Sequence, residues 1–421
     1  RAQFYNNPSR DRKGADNTDK NLYDINKRIS HAMNKSSLIS IDHINQLIPA
    51  IAAYRHNKII NKSALKPLII LTKPHIPFNS LKITHIQALI SNEPNSILLS
   101  GYSLFKHPKF ITYLPVRLRA KLIYRKLKQY EFDELFFSHD ISSDFWNQTL
   151  MHAFPHTKRI CYGDALGLVY TQTYFSRFMY QVINNNRIIL HNILARLKRK
   201  LIYPAKKYQL QAQQAILAIP CDPGKDFLTQ CDFSIIPRGD LKKCVTDLAH
   251  CIPEFKTHMQ DLIKNSSNPC YLLMLSNFTE SKLTTIDNEI ALYKDILSKY
   301  AAVGSTVILK PHPAHNPDLF SLIINTLNEN YNIKVIDQEY YHLPIELAES
   351  LVQGCEVLSV SYSSISLPYL YDKQVKHVLT QELVNKYFLI EKMSWFIESN
   401  NLYLSMINAL PNWKQDRELL I

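Results

Sequence analysis

Between residues 67 and 164 short apolar runs recur, each ending on polar or glycine positions: PLIILT, SILLSGY, ELFFSH and RICYGD. Stretches with helical spacing of apolar residues separate them. This alternation predicts an α/β domain built on a parallel sheet. A basic segment, 171–210, interrupts the rhythm before a second series begins. AILAIP (215–220), DFSIIP (232–237), CYLLMLS (270–276), STVILKPHP (305–313), NIKVID (332–337), EVLSVS (356–361) and VKHVLT (375–380) read as strands. The spacing predicts helices over 41–57, 284–304 and 343–354. Residues 1–40 are polar and Asn/Lys-rich, and they read as a loosely ordered lead-in. The expected organisation is a lead-in and helix over 1–66, a first α/β domain over 67–210 and a second over 211–380. Helices over 381–421 are expected to pack back on the first domain. The simplest architecture is two Rossmann-like, doubly wound domains facing each other across a cleft. Ligands then sit at the carboxyl ends of the strands.

Composition narrows the partners. The 421 residues are 46% hydrophobic and 20% charged, enough apolar material for two cores. With only 8 glycines and no G-x-G-x-x-G or G-x-x-x-x-G-K-[ST], the usual phosphate-cradling loops are absent. The formal net charge of +13 favours an anionic partner. Basic residues concentrate in PVRLRAKLIYRKLKQY (115–130) and RIILHNILARLKRKLIYPAKKY (187–208), interleaved with Leu, Ile and Tyr. Each stretch fits either an anionic membrane surface or a solvated helix face with an apolar underside. No zinc-finger spacing or RNP-like motif supports nucleic-acid binding. Seven cysteines without a C-x-x-C pair fit a reducing compartment rather than a disulfide frame or a metal site. No apolar run approaches the roughly 18 residues that a membrane span needs.

The strand ends carry the candidate chemistry. Lys310, His312 and Pro313 follow STVIL in "ILKPHPAH" (308–315), where two prolines stiffen a lysine and a histidine into fixed geometry. Two cationic donors held this way suit a phosphate. Ser363 and Ser364, in SYSS before an expected helix near Ile365, are either anion-binding residues or ordinary N-caps. Glu346, two residues after Pro344, either complements a helix dipole or accepts hydrogen bonds from a ribose diol. Ser276, after another strand, is a weaker nucleotide contact. In the first half, Gly163 and Asp164 follow RICY; the aspartate is either a turn residue or a general base. A second lysine–histidine copy, Lys73 and His75 in "ILTKPHIPF" (70–78), is an acceptor-side candidate or a proline-stiffened strand exit.

An acidic residue beside glycine, then K-P-H-P, P-x-E and a serine pair, in that order over roughly 68–380, resembles the bacterial GT-B sialyltransferases. Among them the capsule polysialyltransferases are the most similar. The resemblance implies a GT-B fold and inverting, metal-independent transfer of sialic acid from CMP-sialic acid, a substrate, with no cofactor. It makes Asp164 the general base and His312 the residue that helps CMP leave. Ser363 and Ser364 would meet the CMP phosphate, and Glu346 would hold the ribose. Lys310 is added for its place beside His312. The family's acid–acid–glycine motif reads Gly163-Asp164-Ala165 here, so its turn is shifted. The resemblance also implies a glycan or anionic acceptor and a cytoplasmic protein, peripheral at the inner membrane, in contact with capsule-assembly proteins. Alternatives are another CMP-activated 2-keto acid as donor (Kdo, legionaminic or pseudaminic acid) and, in another class, a non-catalytic polyanion-binding protein.

Overall fold

The computed structural model describes residues 36–162 apart from 42, 62–66, 74–80, 94, 103, 106–110, 112–113 and 139–143. It also describes 212–219, then 232–391 apart from 265, 267–268 and 361–363, and lastly 393 and 397. Two open sheets organise them, and every strand pair in both is parallel.

The first sheet comprises β1 (Ser36–Ile41), β2 (Leu68–Thr72), β3 (Ser96–Ser100), β4 (Phe132–Phe137), β5 (Lys158–Cys161), β6 (Gln214–Leu217) and β7 (Asp232–Ile235). Its order is β3-β2-β1-β4-β5-β6-β7, so the winding reverses between β1 and β4. Helices α1 (Leu47–Ile60), α2 (Leu81–Leu89), α3 (Val116–Leu127) and α4 (Asp144–Ala153) connect its strands.

The second sheet comprises β8 (Cys270–Met274), β9 (Thr306–Lys310), β10 (Asn332–Val335), β11 (Glu356–Ser359) and β12 (Val375–His377), in the order β10-β9-β8-β11-β12. Its switch point lies between β8 and β11. Helices α5 (Arg238–Ala249) and α6 (Pro253–Lys264) lead into it. The rest of this half holds α7 (Ile286–Tyr300), α8 (Pro317–Leu327), α9 (Glu349–Gly354), α10 (Ser366–Tyr371) and α11 (Gln381–Tyr387). These two doubly wound halves are the arrangement expected from the strand pattern, and they fit the GT-B fold that the resemblance implied.

Three expectations need correction. Ser36–Ile41, assigned to the lead-in, is a fully buried strand at the centre of the first sheet. Its three serines disguise it, yet two of them satisfy their hydroxyls inside: Ser37 Oγ donates to Glu134 at 2.5 Å and Ser40 Oγ to Asn147 at 3.2 Å. Next, β6 and β7 extend the first sheet rather than opening the second, so the division falls after Ile235, not at 210/211. Finally, the described part of the C-terminal segment packs on the second half, not the first. Val384, Tyr387 and Phe388 join the core beneath α7, and Thr380 caps α11.

The halves are not independent cores. One apolar cluster runs from Ile39 and Ile51 through Leu241, Val245 and Leu248 of α5 to Leu272, Ile308 and Leu351. Polar ties reinforce it: Arg55 Nη1 donates to Asp247 at 2.8 Å, Arg55 also pairs with the buried Glu93, and Tyr369 donates to the Ile236 carbonyl at 3.1 Å.

Candidate functional site

Strand β9 delivers the lysine–histidine motif. Thr306–Lys310 is buried throughout, and register places Lys310 beside Met274 of β8. Pro311 and Pro313 then remove two amide donors and fix the backbone, which ends the strand. His315 N–H donates to the His312 carbonyl at 3.0 Å, closing a turn, and Asn316 caps α8 by accepting from Asp318 N–H at 2.9 Å. Within the turn, Ala314 N–H donates to His312 Nδ1 at 3.1 Å. A ring nitrogen that accepts carries no proton, so the neutral ring's hydrogen resides on Nε2.

Lys310 is buried, and its ammonium donates to the Tyr341 carbonyl at 2.5 Å and more weakly to the Pro311 carbonyl at 3.4 Å. Burial lowers its pKa to about 8, against the pull of Glu346 upward. Glu346 sits in a short 3₁₀ turn, Ile345–Leu347, which Pro344 begins. Burial raises its carboxyl, while Ser366, donating at 2.6 Å, and the charge of Lys310 pull it back down. Tyr371 donates to the Glu346 backbone carbonyl. Lys310 and Glu346, 36 positions apart in the sequence, are thus electrostatic neighbours on the floor of the switch point.

The adjoining strand ends complete the floor. Leu275 N–H donates to the Lys310 carbonyl at 3.0 Å and Val360 N–H to the Met274 carbonyl at 3.2 Å, which aligns the exits of β9, β8 and β11. Ser276 leaves β8 with its backbone engaged by Tyr293, whose hydroxyl donates to the Ser276 carbonyl at 3.1 Å. The loop that follows is anchored inward: Thr279 N–H donates to the buried Glu289 at 2.8 Å. Ser364 is wholly buried ahead of α10, a helix of six residues, so an open helix N-terminus with a displayed hydroxyl is not what this position provides. Pro313 is exposed and His312 half-buried.

On the first sheet, the carboxyl ends of β1, β4 and β5 meet in a polar cluster. Tyr162 donates to the Ser40 carbonyl at 2.8 Å, and Asn147 donates to the Ser138 carbonyl at 2.8 Å. Gly163 and Asp164 follow Tyr162 directly but lie outside the described residues, as do His75, Ser363 and the basic stretch 187–208. Lys73 is buried at the exit of β2, its N–H donating to the Ile41 carbonyl at 3.2 Å. Helix α3 turns Val116, Ile123 and Leu127 inward and leaves Arg117, Lys121, Tyr124 and Arg125 exposed.

Sequence reasoning missed several neighbours of the site. His85 of α2 meets His342 across the two halves, Nδ1 to Nε2 at 2.7 Å with the rings stacked at 4.8 Å. Ser366, Tyr371, Glu280 and His315 were also passed over. His315 stood inside the quoted motif, and only its distance from His312 in a turn could have flagged it.

Two all-parallel, doubly wound sheets, with a lysine–histidine turn leaving β9 next to the switch-point strand β8, give a GT-B-like fold. Over residues 37–380 the sequence matches the alpha-2,8-polysialyltransferase (POLYST) family, and the chain belongs to it. The protein is therefore a sialyltransferase. No curated protein sequence matches the chain. Solved structures with a similar course include UDP-GlcNAc 2-epimerase from Neisseria meningitidis bound to UDP-GlcNAc (14% identity, 89% of this chain and 94% of that one, TM-score 0.47). The GT-B domain of a sialyltransferase from Photobacterium damselae is also similar (10% identity, 87% and 96% covered, TM-score 0.43). Among the described residues, no helix is long and apolar enough to cross a membrane.

Proposed function

We propose that this protein transfers sialic acid from CMP-sialic acid to a sialyl acceptor, with inversion and without a metal ion, in bacterial capsule or surface-glycan synthesis. The observation that carries this reading is the buried Lys310 beside His312 at the carboxyl end of β9, next to the switch-point strand β8. A cation held by burial at a lowered pKa gains most from a phosphate placed against it. The His312 ring, with its hydrogen on Nε2, offers a hydrogen bond to a phosphate oxygen as the glycosidic C2–O bond breaks. The electron pair of that bond leaves with CMP, and the acceptor oxygen attacks the opposite face of C2. Asp164 takes the acceptor's proton. Glu346 holds the cytidine ribose, and Ser363 and Ser276 line the nucleotide, while the wholly buried Ser364 supports the turn between them and α10. Lys73 and His75 face the acceptor.

The exposed basic residues of α3, with Leu118 46% and Tyr124 52% exposed among them, suit peripheral contact with an anionic membrane at the cytoplasmic face. The test is CMP release from CMP-sialic acid in the presence of EDTA, run beside CMP-Kdo and the CMP-activated legionaminic and pseudaminic acids. Release is expected with CMP-sialic acid, unchanged by EDTA, and reduced about 100-fold or more in His312→Ala and in Asp164→Ala. Full activity of either variant sinks that residue's role; preference for another donor sinks the sugar.

A further inference from the structure

The geometry points to Glu280 and His315 as positioning residues for His312: they clamp the turn that carries it onto the loop leaving β8. This rests on the reading of His312 as the hydrogen-bond donor to the departing phosphate. Glu280 Oε1 accepts from the backbone N–H of Asn316 at 2.7 Å, across 36 residues of sequence. The same oxygen lies 3.5 Å from Nδ1 of His315, whose side chain is 1% exposed. His315 in turn holds the His312 carbonyl through its own N–H at 3.0 Å. Thus both ends of the four-residue turn are tied: one to itself, the other to a carboxylate on a different strand connection. Phe320 of α8 walls the imidazole at 5.5 Å between ring centres.

The clamp has a polar interior that packing alone does not require. The Ser276 backbone gives the His315 ring a hydrogen bond that favours its charged form, and Glu280 Oε2 is buried without a partner. Apolar residues of similar size would fill this space without leaving buried polar atoms unpaired. Burial lowers the pKa of His315 and Glu280 opposes that shift, so the ring is held close against a carboxylate rather than solvated. The adjoining residue completes the fixture. Thr279, immediately before Glu280, is bound through its N–H and its hydroxyl to Glu289 of α7. The chain of contacts therefore runs from a helix, through a loop anchored at two consecutive side chains, into the histidine turn.

What the clamp delivers is the ring of His312 in one tautomer and one place. The Ala314 N–H that selects this tautomer belongs to the same turn. If the turn loosens, that contact weakens and the hydrogen redistributes between the ring nitrogens. Displacement of a reacting group by about 1 Å costs on the order of 100-fold in rate.

The test uses the full chain with ¹⁵N-labelled histidine. In the wild type, long-range ¹H–¹⁵N spectra are expected to show His312 with its hydrogen on Nε2. Glu280→Ala is expected to shift His312 toward a mixture of tautomers and to lower kcat about 100-fold, with a much smaller change in the KM for CMP-sialic acid. Glu280→Gln, which still accepts from Asn316, should recover most of that loss. Combined with His312→Ala, Glu280→Ala should add no further loss. Wild-type kcat with an unchanged His312 signature in Glu280→Ala overturns the proposal, as does full additivity in the double variant. If Glu280→Ala does not fold, His315→Gln is read by the same criteria. If His312→Ala is itself fully active, the assigned role of His312 fails, while the tautomer spectra still decide whether Glu280 positions the ring.

Discussion

Replacing Lys310 with methionine keeps the aliphatic stem and removes the ammonium resting on the Tyr341 carbonyl. The consequence for stability follows from its pKa, which falls from 10.5 to about 8 on burial. Between those values the unfolded chain binds more protons at this position than the folded one, so stability rises with pH across that window. At pH 7 burying the protonated lysine costs about 3 kcal/mol, and at pH 10 only about 1 kcal/mol. Net stabilities are commonly about 5–15 kcal/mol, so this is a sizeable share. Urea denaturation of wild type and Lys310→Met at both pH values isolates the effect, because the other titrating groups largely cancel in the difference. The wild type should gain about 2 kcal/mol on the variant between pH 7 and pH 10. A difference that changes by less than about 0.5 kcal/mol refutes the buried-charge argument. CMP binding provides the functional counterpart. Wild-type affinity should decline as pH passes about 8, whereas the variant should bind weakly and without that decline.

Three further outcomes follow from contacts around the site. Ser366→Ala removes the donor that favours the charged form of Glu346, so burial then keeps the carboxyl protonated to higher pH. If the carboxylate holds the donor, the acid limb of kcat/KM moves upward in pH; an unmoved limb removes Glu346 from the donor site. Glu289→Ala should cost roughly 2–4 kcal/mol, because it strands the N–H and the hydroxyl of Thr279, while Glu289→Gln should cost much less. Denaturation midpoints of equal size for both would contradict that account. Arg55→Met leaves Glu93 buried without its cation, and a loss of about 2 kcal/mol in thermal or urea stability is expected. No loss would mean that the α1–α5 junction is held by its apolar contacts alone.

The strand pattern was legible because most strands are continuous apolar runs, as sheets covered on both faces require. Strand β1 escaped notice for a physical reason. It buries Ser36, Ser37 and Ser40, whose polarity imitates a loop, in a sheet where Glu134 and Asn147 supply partners. The division of the chain was misplaced because the basic segment 171–210 looks like a linker, whereas pairing with β5 decides where β6 belongs. Lys310 and His312 were found because a proline-flanked pair at a strand end is a local signal. Glu280 was not, since its partners stand 35 and 36 residues away and only the fold brings them together. His85 and His342, 257 residues apart, show the same limit between the two halves.

The crossing after β7 also dictates how relatives of this enzyme can be recombined. The two halves invite exchange, to ask which of them sets the linkage formed. A chimera joined at the composition change near residue 210 takes β6 and β7 from one parent and the five strands they must join from the other. Such a splice cuts through a sheet, where every residue pair is a potential mismatch. A junction at Ile236–Pro237, just before α5, leaves both sheets whole and moves the seam into a single helix-facing interface. There the polar pairs to match can be named in advance, Arg55 and Asp247, Ile236 and Tyr369, His85 and His342, alongside the apolar face that Leu241, Val245 and Leu248 of α5 share with the first half.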